Sequence, residues 1–272
     1  MAGPSLADPH PEARRIVAIG GSVTEFVYAM GQQDRLVARD STSSFPPEVM
    51  ALPDVGYMRQ LSPEGVLAMK PDLILAEEGA GPPEAVALLK SAGIAFEEIP
   101  SGASAEGVQG KARAVAGVLG VAPDAPVMQA LADDLKAAAD AAGRVSDPQR
   151  VLFALTLQGG RVLAAGSGTE ADAIIRLAGA ENAVTGFQGY KPLTDEALIA
   201  AAPDVVLMMD RGDGATDAGA QGTEILSLPA ISQTPAGRNG RLIRMNGLYL
   251  LGFGPRTGQA ALDLNRALYG DG

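Results

Sequence analysis

The chain has 272 residues, of which 47% are hydrophobic, and it carries a formal net charge of −11 at pH 7. This length suits one large domain or two lobes, and the hydrophobic content suffices for a core. The acidic balance argues against nucleic-acid or anionic-membrane partners, because phosphate binding needs clustered Lys and Arg.

Cysteine is absent and His10 is the single histidine. Zinc sites made of Cys or His, cysteine nucleophiles and a Ser-His-Asp triad therefore lack residues, since His10 lies in a Pro-rich stretch that we expect to be disordered. No run of about 18 apolar residues occurs, so the sequence predicts no membrane-spanning helix.

The first predicted strand, residues 15–19, runs into a Gly20-Gly21-Ser22 turn. Ser22 and Glu25 form a capping box that predicts a helix over residues 23–30. The turn lacks the Rossmann and P-loop spacings, so a plain strand-to-helix turn is favoured over a nucleotide site. The helix N-terminus is nevertheless suited to face a ligand carboxylate.

Strands and helices alternate through the rest of the first half. Strands are predicted at residues 36–39, 73–75 and 94–99, and helices at residues 84–92 and 105–119. This βα alternation predicts a parallel sheet with helices on both faces.

Residues 53–75 read as a loop, a short helix and a buried strand. Gly56 frees the backbone just before Tyr57, and Ser62 is a good N-cap for the helix. We therefore expect Tyr57 and Arg59 on a loop directly ahead of a well-specified helix.

This segment has a partial copy in residues 193–207, which align with residues 61–75. The identical pairs are Leu61/Leu193, Glu64/Glu196, Ala68/Ala200, Pro71/Pro203, Asp72/Asp204 and Leu75/Leu207. The spacing is too long for a solenoid, so the copy indicates two similar α/β lobes. Tyr57 and Arg59 have no counterpart in the second copy.

A longer amphipathic helix is predicted over residues 126–143, between the two copies. It is expected to join the lobes, with a crossover helix inside one sheet as the alternative. The second half then continues with strands at residues 150–155, 161–165, 205–209 and 242–245, helices at 170–178 and 255–268, and loops at 210–221 and 246–254. The expected division is a disordered tail (1–13), an N-terminal lobe (14–122), the connecting helix (123–147) and a C-terminal lobe (148–272).

Several motifs resemble those of a known family. They are Gly20-Gly21-Ser22-Val23-Thr24-Glu25, Gly56-Tyr57-Met58-Arg59-Gln60-Leu61-Ser62, Lys70-Pro71-Asp72, Leu177-Ala178-Gly179-Ala180-Glu181-Asn182 and Gly252-Phe253-Gly254-Pro255-Arg256. With them the chain, from residue 15 to about residue 268, resembles the solute-binding proteins of ATP-driven importers for haem, vitamin B12 and ferric siderophores. The segment around Tyr57 is similar to that of the periplasmic haem-binding proteins.

The resemblance implies an α/β fold of two Rossmann-like lobes joined by a single long helix, with the ligand in the cleft between lobes. It implies that Tyr57 is the axial ligand to ferric haem iron and that Arg59 supports its phenolate. Arg256 and Lys191 are candidates for the haem propionates. Further candidates for the apolar wall are Tyr190, Met245, Tyr249 and Phe253.

Tyrosine suits ferric iron, which prefers an anionic oxygen ligand. A free phenol titrates near ~10, so it needs the metal and a nearby cation to ionise at neutral pH. Because the second half contains no histidine, we expect one haem, five-coordinate or completed by water or another side chain.

The resemblance further implies that Glu64 and Glu196 dock onto a permease dimer of an ABC importer in the inner membrane. Stabilisation of helix N-termini is the alternative role for both carboxylates. The implied protein is a periplasmic, monomeric, non-enzymatic carrier. Two other functions stay open: binding of a ferric siderophore or corrinoid on the same scaffold, and an α/β enzyme using Asp40 or Asp210.

Overall fold

The computed structural model describes residues 8–158, 161–210 and 224–270. The chain divides into two compact units. Unit 1 comprises the chain up to Asp133 together with Gly252–Pro255, and unit 2 comprises Asp134–Leu251 and the chain from Arg256 onward. In the described part of the chain, no helix combines the length and apolar character needed to cross a membrane.

The strands are β1 (Ile16–Ile19), β2 (Leu36–Arg39), β3 (Leu73–Glu77), β4 (Ala95–Ile99), β5 (Arg150–Gln158), β6 (Arg161–Ala165), β7 (Glu181–Asn182), β8 (Tyr190–Pro192), β9 (Val205–Asp210) and β10 (Leu242–Asn246). The helices are α1 (Gly21–Ala29), α2 (Pro63–Ala68), α3 (Pro83–Ser91), α4 (Ala105–Leu119), α5 (Pro126–Ala142), α6 (Glu170–Leu177), α7 (Asp195–Ala201), α8 (Pro229–Ser232), α9 (Pro235–Asn239), α10 (Gly247–Leu251) and α11 (Thr257–Tyr269). Short 3-10 turns lie at Gln33–Arg35 and Pro47–Ala51.

Unit 1 is built on a parallel sheet with strand order β2-β1-β3-β4. Apart from Glu77 at the end of β3, its central strands β1 and β3 are apolar and buried, as expected for a parallel sheet covered on both faces. The parallel sheet predicted for the first half is confirmed. The loops that follow the carboxyl ends of its strands lie along one edge of unit 1.

Unit 2 contains a mixed sheet with strand order β10-β9-β5-β6-β8, in which β7 also pairs with β5. Strands β10, β9 and β5 run parallel, whereas β6 is antiparallel to both β5 and β8. The α/β class predicted for both halves is confirmed. The connection between β5 and β6 falls on residues 159–160, outside the described residues.

The two copies of the internal repeat make equivalent contacts, one in each unit. The Asp72 carboxylate accepts the backbone N–H of Arg15 at 2.8 Å, and the Asp204 carboxylate accepts that of Arg150 at 2.9 Å. Each aspartate therefore fixes the chain where the first strand of its unit begins. The residue before the proline also matches, since Lys70 has φ +50° and Ala202 has φ +40°.

The predicted long helix is confirmed as α5, and the division between the units falls inside it. Two local predictions were wrong. Helix α1 begins at Gly21 behind Gly20, and the Ser22 side chain caps nothing. The expected loop at 246–254 contains helix α10, because the Asn246 side chain accepts the Tyr249 N–H. The loop expected at 210–221 lies, beyond Asp210, outside the described residues.

The N-terminal segment differs from the expected disordered tail where it is described. His10 donates its backbone N–H to Val118, and its ring nitrogen lies 2.9 Å from a Glu97 carboxylate oxygen. The buried Arg35 guanidinium donates to the carbonyls of His10 and Ala13. Residues 8–13 are thus held against unit 1, whereas residues 1–7 lie outside the described residues.

A buried ammonium explains why Ser22 is not a cap. Lys111 of α4 is 1% exposed, donates to the Ser22 hydroxyl at 2.8 Å and pairs with Glu77 at the end of β3. Breaking such a buried pair leaves an uncompensated charge. The Ser22 hydroxyl therefore accepts a hydrogen bond from Lys111, 89 positions later in the chain, instead of capping α1.

Candidate functional site

Tyr57 and Arg59 lie on a loop whose side chains alternate between core and solvent. Val55, Met58 and Leu61 are buried at every third position and join the apolar core of unit 1. Tyr57 remains 40% exposed between them. The three buried side chains hold the loop to the core while Tyr57 and Arg59 face outward.

Backbone hydrogen bonds fix this loop on both sides. Ser41, from the loop after β2, donates its N–H to the Gly56 carbonyl at 2.9 Å. On the other side, Gly81 donates to Met58 and accepts from Leu61, both at 2.8 Å. Gly56 has φ +96°, a conformation that favours glycine. Tyr57 therefore lies where the loops after β2 and β3 meet.

Asp54 anchors the start of the loop through both carboxylate oxygens. One oxygen accepts the Gly56 N–H at 2.8 Å, and the other accepts the guanidinium of buried Arg39 at 2.9 Å. Arg39 ends β2, so this ion pair couples the loop to the sheet. The sequence analysis did not single out Asp54.

The Arg59 Nη1 atom lies 3.4 Å from the Tyr57 phenol oxygen. A guanidinium at that place sets a positive charge beside the oxygen that would carry the negative charge of an iron-bound tyrosinate. The pair lies at the carboxyl-end edge of the parallel sheet, where open α/β sheets bind their ligands. The structure thus brings together the two side chains that the sequence predicts as an iron ligand and its partner.

The Gly20-Gly21 turn at the same edge is filled by the protein itself. A Cβ atom on Gly20 would lie 2.6 Å from a Glu77 carboxylate oxygen. The N–H groups of Gly20 and Gly21 donate to the side chains of Asp40 and Thr42. Two of the N–H donors that a ligand phosphate or carboxylate would need are therefore already used, which supports the plain-turn interpretation.

In unit 2 the structure brings Tyr249 together with Arg256. The Arg256 guanidinium carbon lies 4.9 Å from the centre of the Tyr249 ring. The Tyr249 hydroxyl donates to the Asp263 carboxylate at 2.8 Å. Burial raises the pKa of the Tyr249 phenol and the Asp263 contact raises it further, while Arg256 opposes them. Tyr249 is therefore a neutral phenol at physiological pH.

Three further candidates are the wall residues Tyr190 and Phe253 and the propionate candidate Lys191. The Tyr190 ring meets Phe153 edge-on at 6.5 Å, and the Lys191 ammonium lies 5.4 Å from the centre of the Phe187 ring. Phe253 is 3% exposed within unit 1. Tyr190 therefore packs against the fully buried Phe153, and Phe253 is buried.

Glu64 and Glu196 occupy equivalent positions in the two units. Ser62 caps α2 by accepting from Gly65, and Thr194 caps α7 by accepting from Ala197. Each glutamate is the second residue after its cap, and both are exposed. The hydrogen bond from its own backbone N–H lowers the pKa of the Glu196 carboxyl, and the Thr194 hydroxyl adds to that effect.

The aspartates considered for an enzyme are engaged in structural contacts. Asp40 is fully buried and accepts hydrogen bonds from Gly20, Thr42 and Ser43. Asp210 pairs with Arg244 on the neighbouring strand β10. Both carboxylates therefore have a structural role within their unit.

A groove of about 570 Å³ lies elsewhere in unit 2, at the C-terminal ends of α5 and α11. It is lined by Ala141, Arg144, Val145, Ser146, Asp147, Leu262, Asn265, Arg266, Tyr269 and Gly270. None of the predicted site residues is among them. Its lining residue Arg266 pairs with Asp263, the carboxylate that accepts from Tyr249.

Sequence reasoning missed Asp263, although a signal for it exists. Asp263 lies seven residues after Arg256, two turns of helix, which places both on the same side of α11. An acidic and a basic residue at this spacing suggest a shared neighbour, and that neighbour is Tyr249.

Solved structures resemble this chain along almost its whole length. The periplasmic haem-binding protein BhuT, solved in complex with two haems, is 43% identical, with a TM-score of 0.86 and coverage of 93% of this chain and 97% of that chain. The periplasmic haem-binding protein RhuT from Roseiflexus sp. RS-1 in apo form is 38% identical, with a TM-score of 0.87 and coverage of 94% and 98%. A periplasmic haem-binding protein from Pseudomonas aeruginosa is 34% identical, with a TM-score of 0.84 and coverage of 94% and 93%.

Curated proteins agree at the level of the family. The uncharacterised ABC transporter substrate-binding lipoprotein YvrC of Bacillus subtilis is 25% identical over 264 residues, 96% of this chain and 81% of that protein. A vitamin B12-binding protein of Vibrio cholerae is 39% identical over 88 residues, 32% of each chain. The model of the periplasmic binding protein family matches residues 16–247. The resemblance predicted from the sequence is thus confirmed, and the chain belongs to the periplasmic binding protein family, whose members are transport components rather than enzymes.

Proposed function

We propose that this protein binds ferric haem in the periplasm and delivers it to an ABC importer of the inner membrane. The observation that carries the proposal is the exposed Tyr57 phenol, with the Arg59 guanidinium 3.4 Å from its oxygen on a loop fixed on both sides. The haem-binding neighbours at 34–43% identity support the same ligand.

The residues present fit ferric haem. An exposed tyrosine offers the anionic oxygen that ferric iron accepts, and Arg59 remains charged at any physiological pH. The guanidinium would stabilise the negative charge of a tyrosinate bound to ferric iron. Tyr57 is therefore the proposed axial ligand and Arg59 its outer-shell partner.

The proposed propionate partner is Arg256, because a guanidinium binds carboxylates through paired donors. Tyr249 contributes an apolar ring rather than a second iron ligand, since its hydroxyl is committed to Asp263. The single histidine, His10, pairs with Glu97 in unit 1, and the sequence of unit 2 contains no other. We therefore propose one haem per chain.

Glu64 and Glu196 are the proposed docking residues for the permease dimer. They are exposed and stand at matching places in the internal repeat, so they present one carboxylate on each unit. One carboxylate at the equivalent position of each unit suits a dimeric partner with basic contacts. The carrier is proposed to act as a monomer.

A corrinoid is the second candidate ligand, because vitamin B12-binding proteins match 88 residues of the chain at 39% identity. The Tyr57–Arg59 pair favours haem, since it supplies an anionic oxygen to ferric iron.

Separate titrations of the purified protein with ferric haem, cyanocobalamin and a ferric siderophore test the proposal. We expect a saturable change in the haem Soret band with an endpoint of about one haem per chain, and no comparable saturation by the other two. If cyanocobalamin or the siderophore saturates the protein and haem does not bind, the haem proposal is wrong and the saturating compound is the ligand.

A further inference from the structure

Three side chains of unit 2 form a continuous chain of contacts. Asp263 of α11 accepts the hydroxyl of Tyr249 at 2.8 Å, and the face of that ring carries the guanidinium of Arg256 at 4.9 Å. Tyr249 thus touches a carboxylate at its tip and a cation on its face.

Local structure sets each member in place. Tyr249 lies in α10, where the Asn246 side chain accepts its backbone N–H at 3.0 Å. Arg256 is the residue before α11, and Asp263 follows two turns later on the same helix. Asp263 is braced in turn by Arg266, whose guanidinium lies 3.0 Å from its other oxygen.

The charges in this chain reinforce one another. The carboxylate of Asp263 keeps the hydroxyl of Tyr249 as a donor, which fixes the tilt of the ring. A ring that donates its proton toward an anion is richer in electrons, and its face then attracts a guanidinium more strongly. Asp134 adds a further negative charge near the phenol.

We propose that Asp263 is a positioning residue for Arg256, acting through the ring of Tyr249. Asp263 does not touch the ligand in this account. It orients the ring that holds the guanidinium where a haem propionate is to be bound. The inference rests on the proposed haem function and identifies a residue that this function alone does not require.

Single and double variants test the inference by haem titration. Asp263→Ala and Tyr249→Phe each remove the hydrogen bond that orients the ring and so misplace the cation–ring contact. Each is expected to weaken haem binding roughly 2- to 5-fold, the size of an exposed contact of that kind. The double variant is expected to match either single variant, and Asp263→Ala is expected to add nothing in an Arg256→Ala background, because all act through one guanidinium.

A second readout separates positioning from general damage. Ultraviolet difference titration of phenolate absorption is expected to show one phenol ionising at lower pH in Asp263→Ala than in wild type, and this phenol is expected to be missing in Tyr249→Phe. The matched control is Asp140→Ala, which removes another exposed helical aspartate paired with a basic residue at the i,i+4 spacing. It is expected to leave haem affinity and the phenol titration unchanged.

The outcomes distinguish the inference from the function on which it rests. If wild type binds haem and Asp263→Ala binds equally well, the positioning role is overturned and the haem function stands. Additive losses in Asp263→Ala and Arg256→Ala would also overturn it, since the two residues would then act separately. If wild type binds no haem, the proposed function falls, and the inference falls with it.

Discussion

Tyr57 and Tyr249 are the same side chain in opposite electrostatic settings. The Tyr57 oxygen lies 3.4 Å from a guanidinium nitrogen of Arg59, whereas the Tyr249 oxygen donates to the Asp263 carboxylate at 2.8 Å. Burial and the Asp263 carboxylate raise the pKa of the Tyr249 phenol, whereas the Arg59 guanidinium sets a positive charge beside the Tyr57 oxygen. The charge of one neighbour therefore separates a residue suited to ligate ferric iron from one suited to hold a ring in place.

The two tyrosines also differ in their backbone setting and in the exposure of their side chains. Tyr57 lies on a loop fixed by backbone contacts to Ser41 and Gly81, and its side chain stays 40% exposed. Tyr249 lies in a short helix, and the face of its ring is covered by Arg256. The first arrangement leaves an oxygen available to a ligand, whereas the second engages both the oxygen and the ring.

Arg59→Glu would place a carboxylate beside the Tyr57 oxygen, as Asp263 lies beside the Tyr249 oxygen. A carboxylate in place of the guanidinium disfavours the phenolate, so we expect haem affinity to fall by about 100-fold, at the upper end of outer-shell effects. Soret titration measures the loss, and Arg238→Glu, with the same charge reversal in unit 2, is the control. Equal affinity in Arg59→Glu and wild type would show that the neighbouring charge does not control the ligand.

Arg59→Gln removes the charge without reversing it. We expect an intermediate loss of about 10-fold, with Arg59→Lys closer to wild type because the charge remains while the planar donor group is lost. The same titration ranks the three variants. A glutamine variant as weak as the glutamate variant would indicate that a hydrogen bond, not charge, is what Arg59 supplies.

Asp54→Ala tests whether the hydrogen bonds that anchor the Tyr57 loop contribute to stability and to haem binding. The change removes the acceptor of the Gly56 N–H and leaves buried Arg39 without this carboxylate, so we expect the free energy of unfolding to fall by about 1–3 kcal/mol. Haem affinity should fall only about 2- to 5-fold, since the Tyr57–Arg59 pair itself is intact.

Chemical denaturation and haem titration measure the two effects of Asp54→Ala separately. Glu12→Ala is the control, because the Glu12 carboxylate is 92% exposed and lies 3.7 Å from Arg14. An Asp54→Ala protein with unchanged stability and unchanged affinity would mean that the anchor is dispensable.

Local and periodic features of this fold were predictable from the sequence. The apolar stripe of α5 and the Ser62 cap of α2 each depend on neighbours within a few positions. The internal copy at residues 193–207 is evident as sequence identity with residues 61–75. The placement of Tyr57 and Arg59 on a loop before a helix followed from the same local signals.

Contacts between distant positions were not predictable in this way. The sequence predicted Ser22 as a helix cap, but its hydroxyl accepts a hydrogen bond from Lys111, 89 positions away. Asp54 meets Arg39, 15 positions earlier, only because the loop passes the end of β2. Tyr249 was expected in an apolar wall, because the spacing of Arg256 and Asp263 indicates a shared side of one helix but not which residue they both contact.

The most direct test of the central claim compares the ferric haem complexes of Tyr57→Phe and Tyr249→Phe by visible absorption. Each change removes one oxygen and keeps one ring. We expect Tyr57→Phe to lose the charge-transfer features of tyrosinate ligation, and Tyr249→Phe to retain them with the Soret band of wild type. Retention of these features in Tyr57→Phe, or their loss in Tyr249→Phe, would contradict the assignment of Tyr57 as the iron ligand.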